Sequence, residues 1–347
     1  FRLKIRKLNL VKLVLPDSVY GFLIGNFEVL AFLVLIAVIV FWIRRNVIKI
    51  KRFWKDEMKG WPKSDGNMIL YFEMILMTLF LVMNATDVHF QTMNTGNVIS
   101  QFITPIFSGL EDSTLHVIER GAWWLHIVGI LIFLNYLYYS KHLHILLAFP
   151  NTFFANLKPK GQFTNDANVT KEVMMMMDPD ADPYAMPEEG AEEEVSTFGA
   201  KDVTDLSWVS LLNAYTCTEC GRCTSECPAN LTGKKLSPRK IMMDTRDRLE
   251  EVGKNIDANN GEFKDDGKNL FDWITKEEIW ACTSCNACVE TCPVNIDPLS
   301  IIMDMRRYLV MEESAAPAEL NNMMQNVENN GAPWPYNQMD RLKWVDE

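Results

Sequence analysis

The chain is poor in histidine, with five in 347 residues, and it has no cysteine outside positions 217–292. All eight cysteines fall in that window and none is stray, which excludes the disulfide framework of a secreted protein. A secretory signal pattern with a small-residue cleavage site is also missing. The first residue is Phe1 rather than Met, so upstream sequence, and whole helices with it, are expected to be lacking. Lys and Arg are absent from 84–119 and again from 172–200. The polar half of the chain presents no basic face, which argues against nucleic-acid binding and fits the net charge of -11. Nine acids between Glu172 and Ala200, with Pro179, Pro183 and Pro187, read as a solvated linker. The MMMM run at 174–177 is taken as part of it.

What is present divides into two unlike halves. Residues 1–150 are rich in Leu, Ile, Val, Phe and Trp, whereas 165–347 are polar and acidic. Three stretches are long enough to cross a bilayer at 1.5 Å rise per residue: about 20–43, 68–83 and 121–139. Trp123, Trp124, Tyr136, Tyr138 and Tyr139 suit the aromatic belts of the third. The segment 97–110 is too short to span and reads as interfacial or re-entrant. Eight Lys and Arg lie in 44–66 and none in 84–119, so the positive-inside rule puts 44–66 and everything after Lys141 in the cytoplasm. The basic start, FRLKIRKLNLVKL, conflicts with that topology unless it lies in the interface or follows further helices.

Histidines flank the third span. His126 and His144 are 18 residues apart; on one continuous helix that is five turns, about 27 Å along one face. This spacing suits axial ligation of two b-type haems stacked across a bilayer. A plainer reading stays open, in which His142 and His144 are interfacial and His126 is bonded inside a bundle. His89 and His116 are the candidate second ligands for His126; His144 has no evident partner. Glu28 and Glu73 are intramembrane acids, candidates for proton uptake or quinone binding, or else paired or snorkelling groups.

The most specific signal is a repeat. CTECGRCTSECP at 217–228 and CTSCNACVETCP at 282–293 both read C-x2-C-x2-C-x3-C-P. Three thiolates at this spacing wrap a cubane, and the fourth Cys reaches the other cluster. Cys217, Cys220, Cys223 and Cys292 are thus assigned to one [4Fe–4S] centre, and Cys282, Cys285, Cys288 and Cys227 to the other. Structural zinc uses paired CxxC units rather than a triplet plus Cys-Pro repeated in full. Ser237-Pro238 and Asp297-Pro298 each precede a helical pattern as cap and first-turn proline. Fifty-four residues separate Cys227 from Cys282, too many for a compact strand-built ferredoxin.

LSWVSLLNAYTCTECGRCTSECPANLTGKKLSPRK and IWACTSCNACVETCPVNIDPLSIIMDMRRYLVMEES resemble the helical ferredoxin domain of heterodisulfide-reductase-related membrane Fe–S oxidoreductases. That group includes proteins passing electrons from electron-transfer flavoprotein to quinone. The first half, around WWLHIVGILIFLNYLYYSKHLH, resembles the cytochrome b membrane domain of nitrate reductase gamma subunits, whose helix histidines fall on His126 and His144. The resemblance implies b haem and exchange with menaquinone or ubiquinone. It departs from the group in lacking a second haem-ligand helix and a CCG repeat after the ferredoxin domain.

The expected architecture is all-α. A transmembrane cytochrome b-like bundle (1–150) is followed by an acidic linker (151–206), a helical 2[4Fe–4S] ferredoxin domain (207–312) and a docking tail (313–347). The expected role is the membrane electron-transfer subunit of a quinone-linked oxidoreductase in the inner (cytoplasmic) membrane, with the ferredoxin domain in the cytoplasm. A separate CCG-domain subunit or electron-transfer flavoprotein would do the substrate chemistry within a multisubunit complex. The alternatives are a haem-free Fe–S anchor or an assembly scaffold.

Overall fold

A computed structural model of the chain describes residues 17–92, 95–159, 161–178 and 197–345. The basic start 1–13 and residues 179–196 of the acidic linker, with its three prolines, lie outside the described residues. Among the described residues all regular structure is helical. Two compact units form, residues 1–146 with 218–220, and residues 147–217 with 221–347.

The first unit contains α1 (Asp17–Asn46), α2 (Trp61–Thr86), α3 (Val88–Thr92), α4 (Ser100–Ile103) and α5 (Asp112–Leu137). α1, α2 and α5 are long and apolar enough to cross a membrane. α2 packs on both α1 and α5. Trp42 Nε1 donates to the Tyr71 hydroxyl (3.2 Å), and Phe72 meets the rings of Phe133 and Tyr136. The helices turn Phe22, Leu30, Phe41, Leu125 and Leu134 outward, the arrangement of a bundle solvated by lipid. The segment expected to be interfacial or re-entrant folds as α4 and a 3-10 turn over Thr104–Phe107. It is held to α2 by Thr104 Oγ1 donating to Ala85 O (3.1 Å). At Gly96, φ is +87° and a Cβ would stand 2.6 Å from Gly21 O, so only glycine fits this crossing.

The third span does not run on to His144. α5 ends at Leu137, a 3-10 turn covers Lys141–Leu143, and α6 runs His144–Phe153. Asp65 is the cause. Its buried carboxylate accepts from Tyr136 Oη (2.6 Å), Ser140 Oγ (2.7 Å) and Lys141 N (3.1 Å). Those bonds hold Ser140 extended at φ -108°, ψ 149° and break the helix. The five-turn, 27 Å relation between His126 and His144 therefore does not apply.

The second unit holds the rest of α6, α7 (Ala167–Met177), α8 (Trp208–Thr216), α9 (Arg222–Glu226), α10 (Pro228–Leu231), α11 (Pro238–Ala258), α12 (Lys276–Trp280), α13 (Ala287–Glu290), α14 (Pro298–Met311) and α15 (Ala318–Asn330). The methionine run read as linker is helical, in α7. Both proline-led helices are capped as expected. Ser237 Oγ accepts from Lys240 N, and the Asp297 carboxylate accepts from the N–H groups of Leu299 and Ser300. Their inner faces supply Ile241, Met242, Ile301, Ile302 and Met305 to a core completed by Leu236, Leu270, Ile274 and Ile279. Beyond it, 313–345 forms α15 and two 3-10 turns.

Candidate iron–sulfur and haem sites

The two cysteine motifs take the same path. Glu219 and Ser284, the third residues of the two motifs, have φ of 57° and 56°; Gly221 and Asn286 have 72° and 61°. Left-handed residues at matching places give the two loops matching turns, and a short helix, α9 or α13, follows each. Equal loop geometry supports an equal cofactor in the two motifs.

In the second unit Cys227, Cys282, Cys285 and Cys288 line a single cavity, walled by Leu236, Pro238, Leu299 and Ile302. Three of these thiols come from the second motif and the fourth from the first. The cavity is otherwise apolar, with Thr283 and Asn286 as its remaining polar residues. Among the described residues no three His, Cys, Asp or Glu side chains are placed to hold one metal ion. Four thiols around one cavity are the donor set a cubane would take, one for each iron. Burial, with neighbouring thiols adding to it, pushes Cys288 far up, and burial raises Cys282. Thiolates here need a compensating cation, which cluster iron would supply. Ser284 N donates toward Cys282 Sγ (3.4 Å).

Arg306 escaped the sequence reading. Its guanidinium donates to the carbonyls of Ile279 (2.7 Å) and Cys282 (2.6 Å) and lies 5.0 Å from the Trp280 ring centroid. It clamps the first ligand loop of the second motif from α14. The repeat of the two proline-led helices, IMMDTR against IIMDMR, is the signal that marks the position.

In the first unit His126 lies on α5 with Nδ1 3.0 Å from Leu76 O and its ring against Phe80. A carbonyl can only accept, so Nδ1 donates, and Nε2 is the ring nitrogen left to meet a metal. His144 is fixed the same way by Lys141 O (3.0 Å). A backbone carbonyl on one ring nitrogen is how a metal-ligating histidine is oriented. His116 is no partner for an iron held by His126. Both sit on α5, ten residues and about 15 Å of rise apart, and His116 pairs with Glu119 (3.3 Å). His89, on α3, which packs against α5, is the remaining candidate of the pair.

The two intramembrane acids differ. Glu28 is fully buried and accepts from Asn84 Nδ2 (3.0 Å), Ile99 N (2.8 Å) and Ser100 N (3.1 Å), tying α1 to α2 and to the start of α4. Glu73 is half-buried in the middle of α2, with no hydrogen-bond or ion-pair partner among the described residues. We expect Glu28→Ala to strand three donors and cost about 3 kcal/mol, read as a lower melting temperature in detergent. Unchanged melting with lost quinone turnover would instead make Glu28 a chemical group.

A sequence profile for the 4Fe–4S dicluster domain matches residues 216–296. The chain is 30% identical to the probable iron–sulfur-binding oxidoreductase FadF of Bacillus subtilis, over 92% of this chain and 46% of that protein. It is 28% identical to the EtfAB:quinone oxidoreductase of Syntrophomonas wolfei, over 92% and 45%. A probable membrane-anchored ferredoxin of Chromohalobacter salexigens is 32% identical over 43% of this chain and 24% of that protein. The chain thus spans about half the length of the first two. No solved structure gave a significant match.

Proposed function

We propose that this chain, a homologue of iron–sulfur oxidoreductases that carries a 4Fe–4S dicluster domain, is the membrane electron-transfer subunit of a quinone-linked oxidoreductase. The observation that carries the reading is the cavity ringed by Cys227, Cys282, Cys285 and Cys288, in which the two motifs share one cofactor site. That cluster and a second, held by Cys217, Cys220, Cys223 and Cys292, supply one-electron transfer when bound. His126 and His144 would offer Nε2 to haem b, and His89 is the candidate partner for His126. Glu73, a mid-span carboxyl with no partner among the described residues, is the better candidate for the proton that menaquinone or ubiquinone chemistry needs. The soluble partner is an electron-transfer flavoprotein or a CCG-type Fe–S subunit in a multisubunit complex. The eight Lys and Arg of 44–66 support a ferredoxin domain on the cytoplasmic side of the inner membrane. The described tail, with Trp334 and Trp344 exposed, suits docking of that partner.

The helix break at Ser140 favours one other reading, a haem-free anchor whose cluster reduces quinone directly. A reduced-minus-oxidised spectrum with a pyridine haemochrome assay separates the two. We expect a b-type signal that falls in His126→Ala and His144→Ala. Two cubanes per chain with no haem would leave the anchor reading.

A further inference from the structure

The helix that follows the third span has its polarity inside out. α6 begins seven residues after α5 ends. On a 100° wheel Ile145, Leu146, Phe149 and Phe153 occupy one arc of about 100°. These side chains are exposed, with Phe149 at 78% and Phe153 at 79%; Thr152, at the edge of the arc, is the one other exposed residue of the helix. The opposite arc is centred on Asn151. That polar residue is buried and donates Nδ2 to Val294 O (2.8 Å) within the second unit. A helix against water presents the reverse pattern, polar outward and aromatic inward. The apolar surface also extends beyond the helix on both sides. Tyr138 and Tyr139 before it, and Leu157 after it, are more than two-thirds exposed. Lys158 follows at once and is exposed as well.

We infer that α6 is an interfacial membrane anchor: its Ile145, Leu146, Phe149 and Phe153 face lies in the headgroup–acyl boundary of the bilayer that α5 crosses. The occupant follows from continuity. The face starts where a spanning helix stops, and its tyrosines and phenylalanines are the residues that settle at a bilayer interface. Asn151, on the reverse side, bonds the loop after the second cysteine motif, where Val294 stands two residues past Cys292. The back of the helix is thus bonded to the loop that ends the second cysteine motif, which leaves its apolar face free for lipid. This inference depends on the membrane reading of the three spans and not on haem or quinone.

The test uses the full chain in phosphatidylcholine vesicles containing phosphatidylglycerol. The photoreactive residue p-benzoylphenylalanine replaces Phe149 or Phe153, an aromatic-for-aromatic exchange at exposed positions that spares the fold. Lys254, exposed on α11, is the control site. After illumination, lipid adducts are read by mass spectrometry of the labelled peptides. We expect yields at 149 and 153 about tenfold above those at 254. Lipid yields at 149 and 153 no higher than the control would overturn the inference. So would capture of a second copy of the chain or of another protein at these positions in place of lipid.

Discussion

Replacing Cys227 by alanine is expected to remove the cluster of the second motif and leave that of the first. The four thiols around the cavity are Cys282, Cys285, Cys288 and Cys227, and the last belongs by sequence to the other motif. A cubane that loses one of four thiolate ligands opens one iron to water and loses integrity. Bound iron should then fall from about eight to about four per chain. Cys292→Ala is the reciprocal experiment, with loss of the cluster held by Cys217, Cys220 and Cys223. The two variants are told apart by adding a second substitution. If the ligation crosses over, Cys227→Ala with Cys285→Ala loses no more iron than Cys227→Ala alone, because both residues serve one site. Ligation confined within each motif predicts loss of both clusters in that pair. Iron and sulfide analysis with electron paramagnetic resonance of the reduced protein reads the difference.

The cysteine motif was legible because its chemistry is local. Spacing fixes which thiols a loop can turn to one side, and the left-handed residues at Glu219, Gly221, Ser284 and Asn286 are the backbone form of that spacing. The spanning helices were legible for a similar reason, since length and apolarity are properties of contiguous sequence. The helix termini follow: Ser237 and Asp297 cap where their side chains predict.

What was not legible depends on contacts between distant residues. Nothing in LIFLNYLYYSKHLH announces a break, because the group that makes it, Asp65, comes from another helix more than 70 residues away. The same holds for Glu28, whose partners lie 56 to 72 residues downstream. From sequence alone Glu28 and Glu73 were equivalent intramembrane acids; only packing separates a bonded carboxylate from one without a partner among the described residues. Arg306 was hidden because it reaches the ligand loop from the helix that follows the motif.

The largest loss of stability in the second unit is expected at Arg248, which no motif includes. Its side chain is fully buried and forms two forked pairs. Nε and Nη2 meet Asp202 at 3.0 and 2.6 Å, while Nη1 and Nη2 meet Asp266 at 2.6 and 2.9 Å. Nη2 also donates to Lys268 O (2.9 Å), and the guanidinium lies 5.5 Å from the Trp273 ring centroid. The cation thus fastens α11 to the stretch before α8 and to the loop before α12, the two segments that lead into the cysteine motifs. Arg248→Met leaves two carboxylates facing each other with their counter-charge gone, and should cost about 3–5 kcal/mol. Arg248→Lys should recover little, because an ammonium cannot present two forks at once. Asp202→Asn and Asp266→Asn added to Arg248→Met should recover much of the loss, since the penalty comes from charges left unpaired. The hydrogen bonds from Arg248 hold the Asp266 carboxyl at about 2, below its ordinary 3.8. A depressed carboxyl stabilises the fold above its unfolded value, so this contribution is present above about pH 4 and is lost as pH falls toward 2. In Arg248→Met that part of the acid dependence should shrink. Urea denaturation at neutral pH, followed by cluster absorbance, checks the main effect. A midpoint unchanged in Arg248→Met would show that the two segments are held by the apolar core alone and that the forked pairs add nothing.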